Sequence, residues 1–430
     1  MKVALVSPEY YDIAHFGDKR KEIPPFGVLY LASVIEQKGI NVTLFRVSNE
    51  KFSFDFTDYD IVGFSISSSV TYSILKKVRD NSQYCDKVLL IAGGIHATIF
   101  PEEVINDLGV NIACVGEGEN TISEIIDAYP SKNFSSIEGI VYKDVDSGKY
   151  IHTPKRSLIE NLDTIPFPAR HLLPREEIVM NDRLSDTKLP IAHILCSRGC
   201  PYSCNFCANQ EHGIRYRTGK NIRKELEDLI EQYGIKGFCI TDDNFIVNKE
   251  RIEDICNEIT PLKLKWSSLS RVNTVDRDLL NKLKQSGCIE IKYGIESGSP
   301  RILKLMNKQI TIDEIKRAIS ITHNVGIRVK AFILHGFPGE NIESTMETIQ
   351  LLEELKEKID RISLFRFIPL PGSPAYDNAQ TYNLILPQNF EEIFIYNNER
   401  KWWGTEDEQI ELEQAYQMLE DYVKKNWEKF

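Results

Sequence analysis

Residues 191–209 read Ile191-Ala-His-Ile-Leu-Cys196-Ser-Arg-Gly-Cys200-Pro-Tyr-Ser-Cys204-Asn-Phe-Cys207-Ala-Asn209. A short apolar run leads into cysteines spaced C-x3-C-x2-C, which puts Cys200, Cys204 and Cys207 on a loop at the carboxyl end of a strand. Thiolates are the usual ligands of iron–sulfur clusters, normally four per cluster. Three would leave one iron open, and an open position distinguishes a catalytic metal site from a structural one. Gly199 and Pro201 shape the turn. One alternative is zinc held by these three and Cys196. Structural zinc usually pairs two ligand knuckles across a longer gap, which this spacing lacks. Another is a chance cluster of buried thiols, which fits poorly beside Ser203 and Asn205. Cys196, at the strand's end, reads as packing.

Downstream, the pattern alternates. Strands are expected at Ile191–Cys196, Gly237–Thr241, Lys265–Leu269, Ile289–Gly294, Arg328–Leu334 and Ile362–Phe367, with helical stretches between them. Six βα units over residues 189–375 suit a partial (β/α)6 TIM-type barrel and are too few for a full one. Residues 376–430 read as a small helical C-terminal cap, with Trp402-Trp403 either covering the barrel mouth or packing the tail. Upstream, residues 1–140 show a second α/β alternation. Its strands are Lys2–Ser7, Val42–Phe45, Ile61–Ser65, Val88–Ala92 and Ile112–Val115, and the first helix is Gly27–Lys38. Such βαβ units form a parallel, Rossmann-like sheet, and ligands bind beyond the carboxyl ends of its strands. Those ends carry Ser7-Pro8, Ser65–Ser69, Gly93-Gly94 and Gly116–Gly118, small residues that let backbone approach a bound group. Between the halves, the prolines of residues 141–188 favour an extended linker.

The 430 residues suffice for about three domains. The other five cysteines (Cys85, Cys114, Cys239, Cys256, Cys288) are scattered, and an odd, clustered set is not a disulfide framework. The net charge of −11 argues against coating nucleic acid. The Arg215–Lys224 stretch is basic but reads as a solvated helix start. No apolar run is long enough to span a membrane and no signal peptide is evident, so the expected location is the cytoplasm.

The setting SRGCPYSCNFC resembles the radical S-adenosylmethionine (SAM) signature. Asp242-Asp243-Asn244-Phe245, Arg271, Tyr293-Gly-Ile-Glu296-Ser297-Gly-Ser299, Phe332-Ile-Leu-His-Gly336-Phe-Pro338-Gly339-Glu340 and Pro369-Leu-Pro-Gly372-Ser-Pro374 follow successive strands. With Pro24-Pro25-Phe26-Gly27, Ala92-Gly93-Gly94-Ile95-His96 and Gly116-Glu117-Gly118-Glu119, residues 1–375 resemble the cobalamin-binding-domain radical SAM family.

That resemblance implies a [4Fe–4S] cluster on Cys200, Cys204 and Cys207, with SAM chelating the open iron and cleaving to a 5′-deoxyadenosyl radical. It places Glu296 and Ser297 at the SAM ribose and Arg271 at the SAM carboxylate. Of Asp242 and Asp243, which adjoin that site, at most one points inward. It places cobalamin on the N-terminal half, with Gly93, Gly94, His96 and Ser65 near the corrin or its nucleotide tail. Asp12-Ile-Ala-His15-Phe-Gly17 misses the Asp-x-His-x-x-Gly spacing of a cobalt-ligating loop, so cobalt without a histidine ligand is expected. The implied activity is methyl transfer to an unactivated carbon or phosphorus centre through methylcobalamin. Alternatives are a non-methylating radical reaction (cyclisation, ring contraction or rearrangement), or an iron–sulfur electron-transfer or metal-binding protein. Implied partners are a small-molecule or peptide substrate and an electron donor such as flavodoxin or ferredoxin, with the chain a monomer.

Overall fold

The computed structural model describes residues 1–9, 23–182, 188–209, 213–387 and 401–427. The chain divides into two compact units, one built on residues 1–178 and the other on 179–386 with the C-terminal stretch from 397.

The first unit is a seven-stranded sheet in the order β2-β1-β3-β4-β5-β6-β7. Strands β1 (Lys2–Pro8), β2 (Asn41–Val47), β3 (Ile61–Ser65), β4 (Leu89–Gly93) and β5 (Ile112–Cys114) are parallel. Helices α1 (Phe26–Gln37), α2 (Tyr72–Asn81), α3 (Pro101–Leu108) and α4 (Glu119–Ala128) lie among them. Val3, Ala4, Leu5 and Val6 are all buried, as in a strand covered on both faces. The order 2-1-3-4-5 reverses direction between β1 and β3, so the ligand crevice opens beyond the ends of those strands. Residues 10–22, which follow β1 and include Asp12 and His15, lie outside the described residues.

The expected linker is more ordered than its prolines suggest. β6 (Ile140–Lys143) and β7 (Tyr150–His152) extend the sheet as an antiparallel hairpin on β5. Beyond it, the proline-rich stretch lies on α1. Ser33 Oγ donates to Phe167 O at 2.5 Å, Ala169 N to Leu29 O at 3.1 Å, and Arg170 covers the Phe26 ring. Proline removes donors but keeps its carbonyl and apolar ring, so a segment without ladder bonds can still pack on a helix.

The second unit is the partial barrel. Six parallel strands, β9 (Leu189–Ile194), β12 (Gly237–Ile240), β13 (Lys265–Ser270), β14 (Cys288–Glu296), β15 (Arg328–His335) and β16 (Arg361–Arg366), form one sheet, edged by the antiparallel β8 (Met180–Asp182). A two-residue ribbon of β10 (Ser197–Arg198) and β11 (Arg215–Tyr216) follows β9. Helices α5 (Gly219–Tyr233), α6 (Lys249–Ile259), α7 (Arg277–Gln285), α8 (Pro300–Leu305), α9 (Ile312–Asn324) and α10 (Ile342–Leu355) alternate with the strands. Side-chain caps start them where the sequence supplies Thr218, Asn248, Asp276 and the Thr311/Glu314 capping box. The core of this unit fills the space between strands and helices, around Trp266, Tyr293 and Ile319.

The C-terminal stretch contributes one long helix, α11 (Glu406–Trp427). Leu419, Val423 and Trp427 join the barrel core, Trp427 Nε1 donates to Ile359 O at 2.8 Å, and Tyr422 bonds Glu353 on α10. Trp403 is buried and donates to Gly336 O at 2.8 Å, so it packs the tail onto the loop after β15. Among the described residues no helix is long and apolar enough to cross a membrane.

Candidate functional site

The cysteine loop leaves β9 at its carboxyl end and is tied at both sides. At its start, the Asp242 carboxylate accepts from Cys196 N at 2.6 Å and from Ser197 Oγ. Arg251, on α6, donates to Cys196 O at 2.8 Å and to Phe245 O at 3.2 Å, with its guanidinium 4.2 Å from the Tyr216 ring centre. Cys196 is thus a packed residue that anchors the loop by its backbone. Gly199 turns the chain at φ +83°. The loop's far side is clasped by residues 305–307. Asn205 N donates to Met306 O at 2.8 Å, Asn205 Nδ2 to Leu305 O at 2.7 Å, and Asn307 Nδ2 to Ser203 O at 2.7 Å. Adjacent Asp242 and Asp243 do face opposite ways: the first is buried, the second exposed.

Cys200 is half-buried, Cys204 buried and Cys207 exposed. Burial raises the Cys200 thiol above its usual range, partly offset by the Tyr202 backbone N–H and the Arg271 cation. Metal ligation requires the thiolate, so cations beside the loop favour it. Arg271 leaves the end of β13 and reaches this loop: Nη1 lies 3.5 Å from Cys204 Sγ, Nη2 donates to Lys308 O, and the guanidinium sits 3.8 Å from the Tyr202 ring centre. Both terminal nitrogens are therefore engaged within the protein, and Nε is the buried donor left without a partner.

Glu296 ends β14 at a register break and adopts φ +66°, a conformation rarely held by a non-glycine residue without a reason. Its Oε1 accepts from Lys308 Nζ at 2.6 Å, and both side chains are buried. Gly294 makes room for this pair, since a Cβ there would stand 2.5 Å from Glu296 Oε1 and 2.8 Å from Lys308 Nζ. Ser297 faces elsewhere: its hydroxyl lies 3.3 Å from Thr348 Oγ1 on α10 and accepts from Ser299 N. The structure therefore brings Cys204, Arg271 and Glu296 together through Lys308, and turns Ser297 toward the helices.

The sequence assigns no role to Lys308, and none to Asn244 beyond its place in the Asp242–Phe245 stretch. Lys308 lies in a loop after a short helix, flanked by Asn307 and Gln309 at φ +50° and +54°. Such irregular backbone gives no periodic signal. Asn244 is fully buried with neither amide atom hydrogen-bonded. An unsatisfied buried amide is costly, and it marks a place where a ligand completes the site. Among the described residues no three His, Cys, Asp or Glu side chains converge closely enough to hold a metal ion, the three cysteines of the loop included. Three thiols, a cation beside one of them and an orphaned amide fit a larger group with its own ligand.

In the first unit, Ser65 and Gly93 pair in register at the ends of β3 and β4. Gly94 adopts φ +104°, and a Cβ there would lie 2.5 Å from Ile66 O. Its closest demand is thus its own neighbouring loop. His96 has no exposed surface. Ser69 Oγ lies 2.8 Å from its Nδ1, Tyr72 and Phe100 flank its ring, and burial lowers its pKa to about 4. It is a neutral side chain enclosed by its own unit, which differs from the expected place beside the corrin. The partly exposed small residues at this edge are Ser65, Ser67 and Ser68, with Gly116 (φ +85°), at which a Cβ would meet nothing within 4 Å. An edge of small residues beyond the carboxyl ends of parallel strands fits a large, flat cofactor.

Residues 194–352 match the family model of the radical SAM superfamily, and residues 18–126 that of the B12 binding domain. An uncharacterized methyltransferase of Pyrococcus horikoshii is 32% identical over 409 residues, covering 91% of this chain and 87% of that protein. The anaerobic magnesium-protoporphyrin IX monomethyl ester cyclase of Cereibacter sphaeroides is 24% identical, over 90% of this chain and 66% of that one. The radical SAM methyltransferase TsrM of Kitasatospora setae, solved with cobalamin and a [4Fe–4S] cluster, superposes with a TM-score of 0.67 at 17% identity, over 90% of this chain and 79% of that one.

Proposed function

We infer that this chain, which belongs to the cobalamin-binding branch of the radical SAM superfamily, transfers a methyl group to a small-molecule substrate. Its cofactors are a [4Fe–4S] cluster, SAM and cobalamin. When bound, the cluster supplies an electron to SAM, SAM supplies the radical and the methyl group, and cobalamin carries the methyl group. The observation that carries this reading is the convergence of Cys204, Arg271, Lys308 and Glu296 at the ends of barrel strands.

The chain's own residues divide the remaining work. Cys200, Cys204 and Cys207 hold the cluster, and Arg271 offsets thiolate charge at Cys204. Lys308 and Glu296 form a prepaired set: the ammonium would face the SAM carboxylate, and the second carboxylate oxygen would accept from a ribose hydroxyl. Asn244 supplies a neutral donor and acceptor for the methionine end of SAM. Tyr202 and Phe206 stack on Arg271 and Lys308 and keep water from the charged groups. On the first unit, Ser65, Ser67, Ser68 and Gly116 at the carboxyl ends of the strands would hold cobalamin. A flavodoxin- or ferredoxin-like donor feeds the cluster, and the enzyme works in the cytoplasm.

The test is anaerobic reconstitution of the full chain with iron, sulfide and hydroxocobalamin, followed by SAM and a strong reductant. Methyl transfer predicts 5′-deoxyadenosine together with S-adenosylhomocysteine in proportion to bound cobalamin. Deoxyadenosine alone, at full cobalamin loading, would refute the methyltransferase reading.

A further inference from the structure

Around the cysteine loop, enclosed cations sit beside carboxylates. Lys308 Nζ lies 2.6 Å from Glu296 Oε1, Arg217 bonds Glu225, and Arg251 Nη2 lies 3.9 Å from Asp242 Oδ2. Arg271 breaks that rule. It is 5% exposed, and among the described residues no carboxylate stands within ion-pair distance of it. Its neighbours are a thiol, a carbonyl and a ring. Nη1 donates to Cys204 Sγ at 3.5 Å, Nη2 donates to Lys308 O, and the guanidinium lies 3.8 Å from the Tyr202 ring centre. A buried charge without a counter-ion is expensive. The position therefore calls for an anion that the folded chain alone does not supply.

A loop loaded with its cluster supplies one. Three thiolates leave an iron–sulfur cluster net negative, and a further electron makes it more so. The potential of such a cluster follows its net charge and the hydrogen bonds to its sulfurs. Arg271 brings a charge and a hydrogen bond to the same ligand. The Tyr202 ring and Lys308 O hold the plane of the guanidinium, so the cation is fixed and not merely nearby. The adjacent Lys308 ammonium is already offset by Glu296. Asp243 pushes the Cys200 and Cys207 thiols the other way, but from an exposed position where water and salt screen it.

We propose that Arg271 sets the reduction potential of the cluster through the Cys204 thiolate, rather than gripping the SAM carboxylate. Its charge and its N–H···S bond stabilise the reduced cluster more than the oxidised one, and so ease electron entry. One electron arrives from a low-potential donor; no proton moves, and no bond forms or breaks. This rests on the cluster assignment in the proposed function and not on methyl transfer.

The experiment uses the full chain, reconstituted anaerobically with iron and sulfide and kept free of SAM. Electron paramagnetic resonance reads the ratio of reduced to oxidised cluster at one fixed poise, set by a titanium(III) buffer. Arg271→Met is expected to lower that ratio about tenfold, equivalent to about 59 mV for a one-electron couple. Arg271→Lys should recover most of the loss, because the charge stays. Lys425→Met, which removes an exposed charge on α11, should leave the ratio unchanged. A second reading needs no loss of the cation: with isotopically labelled arginine nitrogen, pulsed resonance of the reduced cluster should show a nitrogen coupling that Arg271→Lys removes. That reading decides the matter where Arg271→Met loads no cluster. An unchanged ratio in a loaded Arg271→Met, or no coupling in the labelled parent chain, overturns the proposal. So does a SAM affinity that collapses in Arg271→Met while the SAM-free ratio holds, which would return Arg271 to the SAM carboxylate. A parent chain that takes up no cluster refutes the cluster assignment itself. The expected ratios without S-adenosylhomocysteine formation count against methyl transfer alone.

Discussion

At the mouth of the barrel, named side chains hold the loop: Asp242 and Arg251 at its start, Asn205 and Asn307 at its far side, Arg271 on Cys204. At the carboxyl edge of the N-terminal sheet, backbone does the corresponding work. Ile66 N donates to Gly93 O at 2.8 Å, His96 N to Ile66 O at 3.2 Å, and Gly94 is there because no Cβ fits. The two edges share a topology and differ in chemistry. A metal cluster and a sulfonium ligand need particular donors and charges, whereas a broad cofactor, if it lies at the N-terminal edge as proposed, needs room. The first demand writes a motif into the sequence, and the second leaves only a taste for small residues.

The largest expected effect lies at the barrel. Cys204→Ala removes a cluster ligand, so reconstituted protein should lose the iron–sulfur absorbance and all 5′-deoxyadenosine formation. Cobalamin, on the other unit, should still bind with its ordinary spectrum. If cluster absorbance stays at its full value, Cys204 is no ligand; if cobalamin is lost as well, the two edges are not independent.

The next effect tests the pair that the sequence did not reveal. Lys308→Met leaves Glu296 buried without its cation, and breaking one side of a buried pair costs about 3–5 kcal/mol. Chemical unfolding monitored on the barrel should show that loss, and SAM binding should weaken sharply. Lys308→Arg should recover more of the stability than of the SAM affinity, because a guanidinium is a different shape from an ammonium.

How far the sequence could be read follows the same division. The parallel strands and their order of appearance were legible, since each is a short apolar run closed by turn residues. The cysteine triplet was legible because ligand spacing is local. Lys308 was not, because its role depends on a loop that meets the cysteines only in three dimensions. Ser297 was assigned by its neighbour Glu296, but the left-handed backbone of Glu296 turns the following residue toward α10. His96 was assigned by its place after Gly93-Gly94, and packing against Tyr72 and Phe100 took it inside. The hairpin β6–β7 was hidden in a stretch whose later prolines suggested a connector throughout.

Acid should act on both units by one mechanism. Burial lowers His96 to about 4 and His335 to about 3, so both are neutral in the folded protein well below pH 6.5. Between pH 6.5 and those values the unfolded chain binds protons that the folded chain does not. Stability therefore rises with pH in that window and is lost as pH falls. For His96 the loss reaches about 3 kcal/mol by pH 4 and about 2 kcal/mol at pH 5. Urea unfolding at pH 7 and pH 5 measures it, and His96→Phe should flatten the dependence of the N-terminal unit only. A pH dependence unchanged by that substitution would mean that His96 carries its proton in the folded state.

The smallest effect separates the two kinds of glycine on the cobalamin edge. Gly94→Ala meets a left-handed φ and a backbone oxygen at 2.5 Å, and a carbonyl fixed in a strand-end loop cannot step aside like a side-chain tip. Gly116→Ala meets a left-handed φ and open space. Strain of this kind costs on the order of 1–3 kcal/mol, so Gly116→Ala should sit near the low end and Gly94→Ala at or above the high end. Cobalamin binding should rank them the other way once the fraction folded is accounted for. Gly94 serves the fold, while on the proposed reading a methyl group at Gly116 would project into the space the cofactor would occupy. Equal cobalamin affinity in folded Gly116→Ala and in the parent chain would move the contact away from the end of β5 and toward the switch point between β1 and β3.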